Sequence, residues 1–177
     1  SRILREAADR DDFNRPDLVR DLNDLTFDAL KLSSRARAAV DDLVHVRLGM
    51  TRGKTGASAV DPPVPREITA YAETLRDDLD SFLGPAPETR HSVEIIVGGG
   101  SGLIAVNLVS GVRGQVPVQI WDASNEDARR LAEARTHLIE QRSQWLYFNR
   151  NLRVYDGLGT YILKPLQRLH WTRTQAI

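Results

Sequence analysis

The spacing of apolar residues changes near the middle of the chain, from a helical period to a strand period. In the first half, Leu18, Leu22 and Leu25 recur every three or four residues, which is the spacing of one helix face. Beyond residue 90, apolar residues such as Val93 and Ile95 recur at every second position, as in a strand with one buried face. The pattern therefore predicts a helical N-terminal region followed by a sheet.

The same spacing sets the expected bounds of each element. Helices are predicted near residues 17–31, 35–50, 65–83 and 124–143, and strands near 92–97, 103–109, 117–121, 152–155 and 160–164. The turns at Gly98–Gly102 and Asp156–Gly159 are typical of hairpins, so the strands that flank them are expected to pair antiparallel. The predicted fold class is α+β, with a helical region over residues 1–58 and an α+β domain over residues 59–177 that holds a mostly antiparallel sheet and one long helix.

Composition restricts the class of protein further. The 177 residues are 41% apolar and 27% charged, which is typical of a folded, water-soluble protein of one or two small domains. The chain has no cysteine, so disulfide scaffolds and thiolate metal sites are excluded, and a reducing, cytoplasmic location is expected. No apolar stretch reaches the ~20 residues that span a bilayer, so no membrane partner is expected.

The two ends of the sequence suggest a larger parent protein. Ser1 stands where an initiator methionine is usual, and residues 172–177 have the pattern of a helix start without a terminator. We therefore expect the chain to be a piece of a longer protein, and its function to be an accessory one.

Three short motifs resemble sites for nucleotide, base or metal chemistry, and each lacks a residue that the chemistry needs. Gly53–Thr55 resembles the end of a phosphate-binding P-loop, but Leu48 stands where the loop requires a glycine. Asp61–Val64 resembles the base-binding element of amino-group methyltransferases, but its valine cannot stack on a flipped base. A nuclease-like pattern begins at Asp156 but has Ile162 in place of its second carboxylate. No catalytic site, cofactor or metal ligand is therefore predicted.

Charge is distributed unevenly along the chain. Residues 1–128 carry 15 basic and 21 acidic side chains, a net charge of −6, whereas residues 129–177 carry 9 basic and 3 acidic ones, a net charge of +6. The basic part also holds six of the eleven aromatic residues, all from Trp145 onward. This distribution predicts that the C-terminal part meets an anionic partner.

The basic and aromatic residues of this tail are the candidate nucleic-acid contacts. Arginines can neutralise phosphates and aromatic rings can stack on bases, and alternation along a hairpin strand places Arg153 and Tyr155 on one face. Alternatively, the aromatic residues are core, with Trp171 covering the sheet and the arginines forming a solvated rim. The predicted contacts are Arg150, Arg153, Tyr155, Lys164, Arg168 and Arg173.

A resemblance adds a biological setting to this hypothesis. Residues 161–176, together with residues 147–155, resemble the C-terminal region of large bacterial DNA-modifying defence proteins of the N6-adenine methylase and restriction-modification class. The stretch from Leu25 to Arg47 is similar to the helices that follow the catalytic part of those proteins. The resemblance implies a bacterial phage-defence or restriction-modification setting. Because the methylase motifs themselves are absent from this sequence, it implies no catalysis here.

Two main hypotheses of function follow from the sequence. The first is a non-catalytic DNA-binding or accessory domain, whose basic-aromatic C-terminal hairpin contacts DNA or a nucleic-acid-handling protein. The alternative is a protein–protein interaction module, in which the acidic helices form the docking surface and the aromatic tail is core. An intact small enzyme is a third hypothesis, with no motif to support it.

Overall fold

The structure is a computed structural model that describes most of the chain. The residues it describes are 16–48, 59–84, 88–112, 114–124, 126, 129, 132, 133, 144–148, 151–155 and 159–177. By its internal contacts the chain divides into two compact units, residues 1–41 and residues 42–177. The sequence predicted a boundary between residues 58 and 59. Residue 58 is the last of a stretch, 49–58, that lies outside the described residues.

The described part of the first unit is a pair of helices. Helix α1 spans Pro16–Ala29, close to the predicted 17–31, and helix α2 spans Ser34–Asp42, the first part of the helix predicted over 35–50. The guanidinium of Arg37 joins the two helices, because it forms an ion pair of 2.6 Å with Asp28 and lies 5.7 Å from the centroid of the Phe27 ring. Among the residues of this unit that the structure describes, exposed polar contacts therefore join the helices, and Ala38 is the only buried apolar residue.

The second unit begins where α2 continues as a π-helical turn, Leu43–Arg47. Helix α3 spans Pro65–Asp80 and ends in a 3-10 turn. Two further 3-10 turns, Arg168–His170 and Arg173–Gln175, lie in residues 166–177, which we call the C-terminal segment. The strands are β1 Thr89–Gly98, β2 Ser101–Ser110, β3 Gln119–Asp122, β4 Gln144–Phe148, β5 Asn151–Tyr155 and β6 Gly159–Pro165.

The described strands form one six-stranded sheet in the order β3-β1-β2-β6-β5-β4. Strands β1 and β2 form a hairpin whose turn residues, Gly99 and Gly100, have positive φ angles, a conformation that glycine adopts at little cost. Strand β3 pairs with β1 in parallel at one edge, and every other pairing is antiparallel. The fold is α+β, as the sequence predicted.

Most predicted elements match the structure within a few residues. The prediction missed β4, because its aromatic residues follow a predicted helix without a turn signal between them. Most of the predicted long helix at 124–143 lies outside the described residues, and residues 126, 129, 132 and 133 are helical. The expected C-terminal helix start is a single 3-10 turn in the structure.

Helix α3 begins where its sequence signals place it. Pro65 occupies the first helical position, where its fixed φ angle fits and no amide hydrogen is needed. The carboxylate of Glu67 accepts a hydrogen bond of 2.9 Å from the amide of Val64, and the amide of Glu67 donates to the carbonyl of Val64 at 2.9 Å. This reciprocal pair satisfies donors at the helix start that would otherwise lack partners.

The core lies between α3, one face of the sheet and the C-terminal segment. The buried residues of this layer are Ile68, Tyr71, Ala72, Leu75, Val93, Ile95, Ile104, Val106, Trp171 and Ala176. A second buried cluster, Leu103, Ala105 and Tyr161, lies on the opposite face, since neighbouring residues of a strand point to opposite sides. The centre of the sheet is therefore buried on both faces.

Trp171 fixes the C-terminal segment to this core. Its side chain is 1% exposed, and its ring lies 5.3 Å from the Tyr71 ring in an edge-to-face arrangement. The indole N–H donates a hydrogen bond of 2.9 Å to the carbonyl of Pro165. The ring lies directly over Gly102 of β2, where a Cβ atom would overlap the indole. Glycine at this position therefore makes room for the tryptophan.

Replacing Gly102 with alanine tests this close approach. We expect Gly102→Ala to lower the free energy of unfolding by about 1–3 kcal/mol, because the added methyl group displaces the indole from its site. The measurement is urea denaturation followed by circular dichroism.

A double-mutant cycle supplies the control for Gly102→Ala. If the methyl group acts on the ring, Gly102→Ala combined with Trp171→Phe loses less stability than the two single changes added together. Strictly additive losses would show that the alanine acts elsewhere.

Candidate anion-binding cavity

A cavity of about 620 Å³ opens beside the core of the second unit. Helix α3 forms one wall, the sheet forms the floor, and the C-terminal segment closes one side. The apolar part of the lining consists of Leu75, Leu79, Val106, Leu108, Ile162, Ala176 and Ile177. The volume falls within the ~300–1,000 Å³ of pockets that hold small ligands. The cavity is therefore large enough for a ligand of nucleotide size.

The polar residues of the lining lie towards two ends. Lys164 pairs with Gly102 across β2 and β6, whereas His91 pairs with Leu108 across β1 and β2. Gly102 and Leu108 are six positions apart on the same strand, which is about 20 Å of extended chain. We call the region around Lys164 the basic end and the region around His91 the acidic end.

The basic end is built around the buried side chain of Lys164. The residue is 3% exposed, and its Nζ donates a hydrogen bond of 2.6 Å to the carbonyl of His170. The same nitrogen lies 3.8 Å from the centroid of the Tyr71 ring and 4.7 Å from that of Trp171. Among the described residues, no carboxylate lies within ion-pair distance of it.

Burial changes the acid–base behaviour of both polar groups at this end. Loss of hydration and, to a lesser extent, the positive charge of Arg153 together lower the pKa of Lys164 to about 7. Burial also raises the pKa of Tyr71 well above its usual range, so its phenol stays neutral. The two aromatic rings favour the charged ammonium and so oppose part of the desolvation. Near neutral pH, Lys164 is therefore present in both charged and neutral forms.

Arg153 adds a second positive charge to the same end. It lies on β5 opposite Ile162 of β6, and this register places it on the face of the sheet that carries Lys164. Its side chain lines the cavity and is partly buried. A guanidinium and an ammonium that share one cavity are a suitable pair of donors for a carboxylate or phosphate group.

The acidic end holds a hydrogen-bonded carboxylate–histidine pair. Asp80 Oδ1 accepts a hydrogen bond of 2.8 Å from the His91 amide and lies 2.9 Å from His91 Nδ1. Asp80 Oδ2 is buried and has no hydrogen-bond partner among the described residues. Asp78 also lines the cavity. The imidazole is thus oriented by the carboxylate, as in sites where a histidine accepts a proton.

The structure brings together only some of the predicted nucleic-acid contacts. Arg153 and Lys164 share the cavity, but Lys164 is buried rather than on the exposed face expected for it. The position of Lys164 in β6 explains its burial. It lies two residues after Ile162, which packs against the core, so both side chains lie on the inward face of the strand. Arg150 and the side chain of Tyr155 lie outside the described residues.

The other two predicted arginines lie away from the cavity lining. Arg168 forms an ion pair of 3.1 Å with Glu67, whose carboxylate also accepts the hydrogen bond from Val64 at the start of α3. Arg173 is exposed in the last 3-10 turn. Trp171 is buried in the core, as the alternative interpretation of the tail predicts. The six predicted contacts therefore do not form one surface in the described part of the chain.

Sequence reasoning missed two lining residues that carry chemistry, Tyr71 and His91, and it also missed Asp80, which contacts His91 from outside the lining. The sequence did contain a signal for His91. It lies two residues before Val93 in β1, so it is on the same inward face as Val93 and Ile95. Its pairing with Asp80 depends on how the end of α3 meets the start of β1, which no local pattern encodes.

Other kinds of site find no support in the described residues. No group of three or more histidine, aspartate or glutamate side chains there could hold a metal ion, and no described helix is long and apolar enough to cross a membrane. Comparison with known proteins found no matching family model, no matching curated protein and no matching solved structure. The resemblance to N6-adenine methylases therefore stays a hypothesis.

The lowered pKa of Lys164 predicts a particular pH dependence of stability. An unfolded chain keeps this lysine protonated up to about pH 10.4, whereas the folded chain releases the proton near pH 7. Between these values the unfolded state binds more protons, so the free energy of unfolding rises with pH by up to about 1.4 kcal/mol per unit. We expect this rise, measured by urea denaturation from pH 7 to 9, to disappear in Lys164→Met.

Lys31→Met is the matched control, because Lys31 is an exposed lysine in the first unit. It should keep the pH dependence of the wild-type protein. A wild-type slope equal to that of Lys164→Met would contradict a buried, readily deprotonated Lys164.

Proposed function

We propose that the second unit is a binding module that takes the phosphate group of a nucleotide into the cavity, next to Lys164 and Arg153. The phosphate can belong to a single-stranded nucleic acid or to a free nucleotide, since the same chemistry recognises both. This proposal keeps the anionic partner expected from the basic tail. It moves the contact from an exposed hairpin face into the cavity.

The observation that supports the proposal most directly is the buried Lys164 ammonium without a neighbouring carboxylate among the described residues. A buried charge is costly unless an opposite charge compensates it. A bound phosphate would supply that charge, and Arg153 would add charge-assisted hydrogen bonds from the same end of the cavity. The site is thus suited to an anion.

The depth of Lys164 limits which nucleic acid can reach it. With 3% of the residue exposed, its Nζ cannot touch the backbone of an intact duplex, whose phosphates stay on the outside of a wide cylinder. A strand end, an unpaired nucleotide or a free nucleotide can enter a cavity of about 620 Å³. The proposal therefore favours single strands over duplex DNA.

A protein-interaction module is the second candidate function, and two observations favour it. Tyr161 and Trp171 are buried, as expected if the aromatic tail is core. Strand β3 is an exposed edge of the sheet, and its Ile120 and Trp121 are 37% and 40% exposed. An exposed edge strand with apolar side chains can pair with a strand of another protein.

Binding of labelled oligonucleotides tests the first candidate. We expect 5′-phosphorylated single-stranded DNA to bind more tightly than the same strand without its phosphate, and both to bind more tightly than duplex. Fluorescence anisotropy at several salt concentrations is the measurement, and one or two phosphate contacts should give a log–log slope of roughly 0.7–1.4. Competition by a free nucleoside monophosphate distinguishes a nucleotide site from a site for strands.

Arg153→Gln supplies the decisive variant. We expect it to weaken binding by about 1.5–3 kcal/mol, because it removes a charge-assisted hydrogen bond from the cavity. Arg66→Gln is the matched control, since Arg66 is an exposed arginine of α3 outside the cavity lining, and it should leave affinity nearly unchanged. Equal losses in both variants would indicate non-specific attraction, and no phosphate-dependent binding would leave the interaction module as the better candidate.

A further inference from the structure

The amine of Lys164 has the surroundings of a nucleophile as well as those of an anion contact. It lies in the wall of a largely apolar cavity, against the faces of Tyr71 and Trp171, and it shares that end of the cavity with Arg153. A lysine that is desolvated in an apolar pocket, or placed next to another cation, is the kind that reacts as a free amine.

We infer that Lys164 forms an imine with a small anionic carbonyl compound, such as an aldehyde or 2-oxo acid, bound in the cavity with its anionic group on Arg153. This reaction goes beyond the proposed phosphate site. It shares the cavity with that site and does not depend on nucleotide binding.

The bonds of the reaction balance without an added oxidant or reductant. The lone pair of Nζ attacks the carbonyl carbon, and the oxygen takes up a proton to give a carbinolamine. Loss of water then forms the carbon–nitrogen double bond, so the carbonyl oxygen leaves with the two protons that the amine carried. The neighbouring groups have distinct roles: the carbonyl of His170 accepts a hydrogen bond from Nζ and orients it, while the Tyr71 ring limits access of water.

The anionic class of the ligand follows from Arg153. A guanidinium binds a carboxylate through two parallel hydrogen bonds, and it can do so while Lys164 is neutral. With the pKa of Lys164 at about 7, about half of this amine is neutral at pH 7, against roughly one part in 2,500 for an ordinary lysine. The chain has only two other lysines, Lys31 and Lys54, so the three amines can be compared within one sample.

Reductive trapping on the full chain tests the inference. The protein is incubated at pH 7 with glyoxylate and cyanoborohydride, which reduces an imine to a stable secondary amine, and the modified residues are found by peptide mass mapping. We expect Lys164 to be labelled at least about tenfold faster than Lys31, because desolvation in the cavity favours the neutral, nucleophilic form of the Lys164 amine. Equal or slower labelling of Lys164 would overturn the inference.

Two comparisons distinguish a specific binding site from the general reactivity of lysine amines. Arg153→Gln should slow labelling of Lys164 by glyoxylate and leave labelling by the uncharged acetaldehyde unchanged, whereas Arg66→Gln should change neither. Lys164→Arg keeps the positive charge and should lose the fast-reacting site while its circular dichroism matches that of the wild type. A rate with glyoxylate that is unaffected by Arg153→Gln would refute the anionic ligand class. Because no nucleotide is present, these results stand apart from the outcome of the phosphate-binding test.

Discussion

The packing of Trp171 against Gly102 and Tyr71 is the interaction on which the rest of the second unit depends. It brings the C-terminal segment over the sheet, and the bond from the indole to the carbonyl of Pro165 fixes the turn between β6 and that segment. Further contacts hold the segment along its length: the amide of Arg168 donates to the carbonyl of Asp61, and the amide of Thr174 donates to Asp42. Without this segment, Lys164 would lose the Trp171 ring and the His170 carbonyl that cover it.

The covered position of Lys164 links the fold to its chemistry. The tryptophan and tyrosine rings that stabilise the core are the same rings that enclose the lysine, so burial of apolar surface and loss of hydration at the amine have one cause. The hydrogen bond to His170 and the two ring faces favour the charged ammonium and so oppose part of the effect of desolvation. The result is a polar group near the midpoint of its titration at neutral pH, which is common at binding and catalytic sites.

The sequence predicted the fold better than the site, for physical reasons. Local periodicity is enough to find α3 and the β1–β2 hairpin, because one face of each must be buried wherever the element lies in the fold. The position of Lys164 depends on a non-local event, the docking of Trp171 over β2, so a lysine among arginines was expected to be exposed. Likewise, Asp80 and His91 meet only because the end of α3 packs next to the start of β1. Charge counts predict an anionic partner for the tail, but they do not say which basic residues converge.

The measurement that tests this account most directly is the pH titration of the Lys164 amine, followed by NMR. Comparison with Lys164→Arg assigns the signal to this residue. The account predicts a midpoint near pH 7 in the unliganded protein and a higher midpoint when a nucleoside monophosphate is added, because a bound anion favours the ammonium. A midpoint near the ordinary value of about 10.4, unchanged by the nucleotide, would contradict a buried lysine that receives anions.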